Sequence, residues 1–275
     1  MRGSFRRYPR SMAIASVAGA ASAKLSSRSQ HHLGAVMARI SQVSIDDSDP
    51  LMSELGPVLA EFNTVVERYC DDVRSPPYWF NERASVSLLA AAAWRLGWVG
   101  VEEFSTRKVL ALRDDPEQGI HRHGRCDLFL RSPRGTSFAI EAKQVVANQQ
   151  DLDARTRDAL RRARDDARQL FSTEASCRLA VAFVVPILRA TDEGEHSEDL
   201  DEWQRSCVSV FNGPRRINHA CIFPGVAGNF LGPRRRAFWP GVILVAQRIF
   251  RRASTVTSAA GDSSGQSLVA GAADD

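Results

Sequence analysis

No apolar stretch in the 275-residue chain approaches the ~20 residues that cross a bilayer; the longest uninterrupted ones are residues 88–94 and 179–188. Both have the length of core elements, and a membrane-spanning class is excluded at this level. Cysteine is scarce: Cys70, Cys126, Cys177, Cys207 and Cys221 are an odd set, widely spaced, with no CxxC pair. That excludes a disulfide framework and a zinc finger, and it fits a reducing compartment, with the cytoplasm the expected location. No internal repeat and no helix-turn-helix or other separate reading module is visible. Acid is missing from two long segments. Residues 1–45 hold seven Lys/Arg and no Asp/Glu, and residues 203–261 hold nine Arg and no acid. Residues 46–202 carry 20 Lys/Arg against 29 Asp/Glu, within an overall net charge of +4. The arginine-rich segment suits a polyanion; it also offsets the acidic middle without touching any ligand.

What is present is the composition of a soluble globular protein, 44% hydrophobic and 25% charged, long enough for one domain with tails. Residues 1–45, rich in Ala, Ser and Arg, read as a basic disordered arm, a transit peptide, or a start placed too early, since Met12 and Met37 would also serve. The ordered domain is expected over 46–250, and the polar segment 251–275 reads as a disordered tail. Ser48-Asp49-Pro50 starts a helix that Leu51, Leu55, Val58, Leu59, Phe62, Val65 and Val66 carry to about Val73. Asn81 caps a second helix that ends at Gly97. Strands are expected over 98–109, 125–131 and 137–145, with a polar loop at 113–124 and a turn at 132–135. A charged helix follows over 151–175, then a strand buried on both faces over 178–187. Residues 191–202 read as an acidic loop, 203–211 as a short helix, 213–240 as a Gly-, Pro- and Arg-rich connection, and 241–250 as a final strand.

Three polar residues interrupt this apolar pattern. Asp127 is the acid within the second strand. Glu141 and Lys143 stand two apart in the third, so strand period puts both on one face, with Ile140 and Ala142 on the other. Charges in so apolar a sheet are costly unless they pair or meet a metal. A hairpin joining the two strands brings Asp127 near Glu141, and a divalent cation such as Mg²⁺ would relieve the repulsion between them. The same pattern fits a buried ion pair of Lys143 with either acid. His121-Arg122-His123 reads as a solvated loop motif, and His219-Ala220-Cys221 lacks the partners a zinc site needs. Arginines 155, 157, 161, 162, 164 and 168 alternate with acids and read as a salt-bridged solvent face. Arg234-Arg235-Arg236 followed by Phe238-Trp239 is the better nucleic-acid candidate, joining charge to stacking surface.

The stretch 81–187 resembles the PD-(D/E)XK nuclease superfamily, the restriction endonuclease-like proteins, in its αβββαβ order and in its motif. That motif is an Asp on the second strand, here Asp127, and (D/E)xK on the third, here Glu141-Ala142-Lys143. The proline that often precedes the Asp is replaced by Cys126. The resemblance implies an α/β fold with a restriction endonuclease-like αβββαβ core, its mixed central sheet flanked by helices, and a nuclease-like domain over 46–250 with core 81–187 and a basic part 203–250. It implies Mg²⁺ or Mn²⁺ on Asp127, Glu141 and the Ala142 carbonyl, with Lys143 positioning the nucleophilic water. Glu82, on the first core helix, would take a second metal or orient the water network, and Gln144 after the lysine completes the catalytic set. Glu82 also suits its helix dipole without any catalytic part. The implied reaction is phosphodiester hydrolysis in DNA rather than RNA, with Arg215, Arg216, Arg234, Arg235 and Arg236 on the backbone. A homodimer is compatible with it, and a silent scaffold or an unrelated α/β domain are the rival readings.

Overall fold

Asp49 accepts the backbone N–H of Leu51, and Pro50 opens helix α1 (Pro50–Val73), which buries Met52, Leu55, Val58, Leu59, Phe62 and Val66 along one face. Arg74 closes it in a left-handed conformation (φ 56°), its N–H donating to Cys70 O at 3.0 Å. Asn81 accepts from Ala84 N and starts α2 (Glu82–Arg95), which ends before Gly97 at φ 77°. Both helix starts lie where side chains satisfy otherwise unpaired N–H groups. The computed structural model describes residues 39–109, 121–171, 173–189, 199–212, 217–226, 230 and 237–250.

The chain is α/β, with a mixed seven-stranded sheet flanked by helices. Its strands are β1 (Ile40–Ser44), β2 (Val99–Val109), β3 (His121–Arg131), β4 (Ser137–Ala147), β5 (Cys177–Pro186), β7 (Asn218–Phe223) and β9 (Val242–Ile249), in the spatial order β1-β7-β9-β5-β4-β3-β2. β6 (Leu188–Arg189) and β8 (Ala237–Phe238) form a separate small pair. Among the described residues only β4 and β5 run parallel, and helix α3 (Leu152–Gln169) makes the crossover such a pair requires. Alternation along β5 shows the two layers. Leu179, Val181, Phe183 and Val185 pack with α1 and α2, while Ala180, Ala182 and Val184 face α3 and α4 (Leu200–Ser209). A strand covered on both faces has no polar side to show, which is why its sequence is a continuous apolar run.

Residues 40–44, expected in the basic arm, form an edge strand paired in antiparallel register with β7. Asn63 of α1 secures it, donating to Gln42 O (3.3 Å), Ser41 Oγ (3.2 Å) and Cys221 O (3.0 Å). The partner β7 lies within the expected Gly/Pro/Arg connection, and β3 begins at His121, inside the expected loop. The charged helix ends at Gln169, short of the expected 175, but its exposed side is lined as expected by Asp153–Arg157, Asp158–Arg161, Asp158–Arg162 and Asp165–Arg168 ion pairs. Among the described residues no helix is long and apolar enough to cross a membrane. Residues 1–38, most of the expected arm, and 251–275, the expected tail, lie outside the described residues.

Candidate active site

Although β3 and β4 are each eleven residues long, their ladder has only four pairs and ends at Leu128–Ile140. Beyond that point β4 keeps its pairing with β5 but loses β3. The N–H groups left without a strand partner need acceptors, because an unpaired buried N–H costs about as much as a lost hydrogen bond. Two carboxylates supply them. Asp127 Oδ2 accepts from Ala142 N at 2.7 Å, and Glu82 Oε2 accepts from Gln144 N at 2.9 Å. The opposite neighbour of Asp127 on β2 is also irregular: Glu103 sits at φ 52°, and the ladder skips that position.

The structure brings Glu82, Asp127, Glu141 and Lys143 into one electrostatically coupled cluster at this opening. Glu141 is 2% exposed, and burial pushes its carboxyl up to about 7; the charge of Asp127 adds to this, while Lys108 and Lys143 oppose it. Burial also raises the Glu82 carboxyl, against the pull of the Gln144 N–H and Lys143. For Lys143, burial alone would lower the pKa. The hydrogen bond from Lys143 to Asp166 and the charges of Asp166, Asp127 and Glu82 outweigh it, so the group ends above its ordinary value. Lys143 Nζ has two acceptors, Asp166 Oδ2 of α3 at 2.8 Å and Ala142 O at 2.9 Å. It is therefore a fixed ammonium at neutral pH.

Gln144, expected in the catalytic set, points to the other face of β4. Its Nε2 donates to Tyr78 O (3.0 Å) and its Oε1 accepts from Ser85 Oγ (2.7 Å), so the side chain fastens β4 to the start of α2. Two residues not singled out from sequence join the cluster: Asp166, and Lys108 of β2, whose Nζ stands 2.8 Å from Glu141 Oε1. Lys108 was legible only as a cation in phase with the buried Thr106, two residues earlier. The Cys126 thiol is pushed up to about 12, chiefly by burial, and it contacts Ile140 O at 3.3 Å; it is no nucleophile.

Two expectations for nucleic-acid contact fare differently. Arg215, Arg216, Arg234, Arg235 and Arg236 lie outside the described residues. Phe238 is 5% exposed in the core and offers no open stacking face, while half-buried Trp239 packs against Trp79 with ring centroids 5.6 Å apart. The hydrophobic pattern alone could not separate a stacking platform from a core pair.

Among the described residues no group of three or more His, Cys, Asp and Glu side chains stands ready as a metal cage. The donors at the strand opening nevertheless suit a hard divalent cation. They are carboxylate and carbonyl oxygens, and Glu141 Oε1 is buried without a hydrogen-bond partner despite the nearby ammonium. Asp127 spends Oδ2 on Ala142 N and retains Oδ1. Comparison with protein-family models, curated proteins and solved structures finds no match for the chain.

Proposed function

We propose that the chain is a metal-dependent nuclease of the restriction endonuclease-like type, hydrolysing phosphodiester bonds in DNA, with α2, β2, β3, β4, α3 and β5 as its αβββαβ core. The observation that carries the reading is the split between β3 and β4. It opens where Asp127 and Glu141 stand, and it leaves Glu141 buried with Oε1 facing the Lys108 ammonium at 2.8 Å without a well-aligned hydrogen bond. Asp127 and Glu141, with the Ala142 carbonyl, would hold Mg²⁺ or Mn²⁺. Such an ion supplies Lewis acidity at the phosphate and a lower pKa for the attacking water.

The chain's own groups do the rest. The Lys143 ammonium, fixed by Asp166, neutralises charge that builds on the phosphate oxygens. It does not take a proton, because its partners keep it charged. Glu82, anchored through one oxygen to Gln144 N, orients the attacking water with the other. Its carboxyl, raised by burial, is the base that accepts that water's proton. As the water oxygen bonds to phosphorus, the P–O bond to the leaving sugar breaks and that oxygen takes up a proton from solvent.

A second reading has its own support: Asp127 and Glu82 both cap β4 N–H groups, and each lysine has an acidic neighbour, as in a silent scaffold. Cleavage of plasmid and single-stranded DNA with Mg²⁺ or Mn²⁺ separates the two. The nuclease reading expects metal-dependent cleavage by the wild type and its loss in Asp127→Ala and Lys143→Ala. A folded wild type that cleaves no substrate and binds no metal supports the scaffold.

A further inference from the structure

The two lysines of the cluster are held in unlike ways. Lys143 is fastened, with two acceptors within 2.9 Å. Lys108 has one anionic neighbour, Glu141 Oε1 at 2.8 Å, and that oxygen still lacks a hydrogen bond in acceptable geometry. Lys108 reaches it from β2 by laying its stem across β3. The crossing point is Gly124, where a Cβ would sit 2.8 Å from both Cγ and Cδ of Lys108. The backbone below is secured by a bridge from Lys108 to Leu170 and by Phe171 N donating to Arg107 O at 3.2 Å. The arrangement is a rigid base, a glycine channel and a flexible four-carbon arm ending in a cation. That cation stands before the carboxylate which the nuclease reading assigns to the metal.

We propose that Lys108 is a placeholder cation: it occupies the approach to Glu141 in the metal-free protein and must withdraw when a divalent ion binds. This rests on the nuclease reading of the same site. A single positive charge tethered 2.8 Å from Glu141 compensates part of the carboxylate repulsion. It also repels an incoming dication, so metal affinity is set by competition between the two. Lys143, tied to both Asp166 and Ala142 O, is the less free of the two lysines to withdraw. The glycine is needed for the reach; any side chain at 124 would meet the lysine stem.

The test is calorimetric titration of Mn²⁺ alone, at pH 8 and without nucleic acid, into wild type, Lys108→Met and Gly124→Ala. The methionine keeps an apolar stem over Gly124 and removes the charge. The alanine keeps the charge and pushes the stem aside. Lys108→Met is expected to bind Mn²⁺ on the order of tenfold more tightly, since carboxylate sites are tuned by their net charge. Gly124→Ala is expected to shift in the same direction, and it carries the test should Lys108→Met fail to fold. Equal or weaker binding in the folded variants, with the wild type still binding, overturns the placeholder and leaves the nuclease reading standing. No binding by any of the three overturns both.

Discussion

Replacing Glu141 with glutamine should change how stability depends on pH, with a sign that follows from its burial. The Glu141 carboxyl is pushed up to about 7 in the folded chain, from an ordinary glutamate value of 4.5. Between those values the folded protein holds a proton that the unfolded chain has released, so stability falls as pH rises through that window and levels off above it. A displacement of about 2.5 pH units corresponds to about 3 kcal/mol. Glutamine has no proton to lose. The assay is urea unfolding in EDTA, from pH 5 to pH 8, for the wild type and Glu141→Gln. The difference between the two curves is the quantity to read, because other groups tilt both. His219, kept below its usual pKa by burial, favours folding as pH rises, whereas Glu82 acts in the direction of Glu141. From pH 5 to pH 8 the wild type should lose about 2.5 kcal/mol relative to the variant, the rest of the effect lying below pH 5, and Mn²⁺ at pH 8 should restore stability to the wild type alone. Curves that stay parallel would refute the reasoning that burial of this carboxylate outweighs the nearby lysines.

Three further outcomes follow from the packing and from the proposed chemistry. Asp166→Asn should slow DNA cleavage about tenfold, by loosening the Lys143 ammonium, and leave Mn²⁺ affinity unchanged in calorimetry. Asn63→Ala should cost about 2–3 kcal/mol in urea unfolding, since it strands acceptors on β1 and β7. Gly241→Ala should cost about 3 kcal/mol or more in the same assay, because its Cβ would lie 2.5 Å from the Ile222 carbonyl oxygen, which cannot yield as a side chain can.

The elements with local signals were legible in the sequence. Asp49-Pro50 and Asn81 mark helix starts through hydrogen bonds made within a few residues, and the β5 run follows from burial on two faces. β1 and β7 were not. Each is short, each is stabilised by a partner nearly 180 residues away, and neither has an alternating face, since β7 is buried almost throughout. The acids of the site stood out because charge is rare inside apolar strands. Lys108 and Asp166 did not, since a lysine near a strand end and an aspartate in a charged helix look ordinary until the strands separate. Gln144 entered through the family resemblance alone, and its side-chain contacts to Tyr78 O and Ser85 Oγ follow from strand alternation, which turns it to the face opposite Lys143.

Glu103 has a consequence beyond the site. β2 is an outer strand of the sheet, with Val99 and Val101 exposed, and an open hydrophobic edge is a template on which other chains can stack and aggregate. The left-handed backbone at Glu103 interrupts that edge, and exposed Glu102 and Arg107 stand on either side of the break. An incoming strand would find only the short stretch before Glu103 open, because beyond it Lys108 already bridges Leu170 and Arg107 O accepts from Phe171 N. The irregularity that accompanies Asp127 thus also shortens the edge on which another chain could stack.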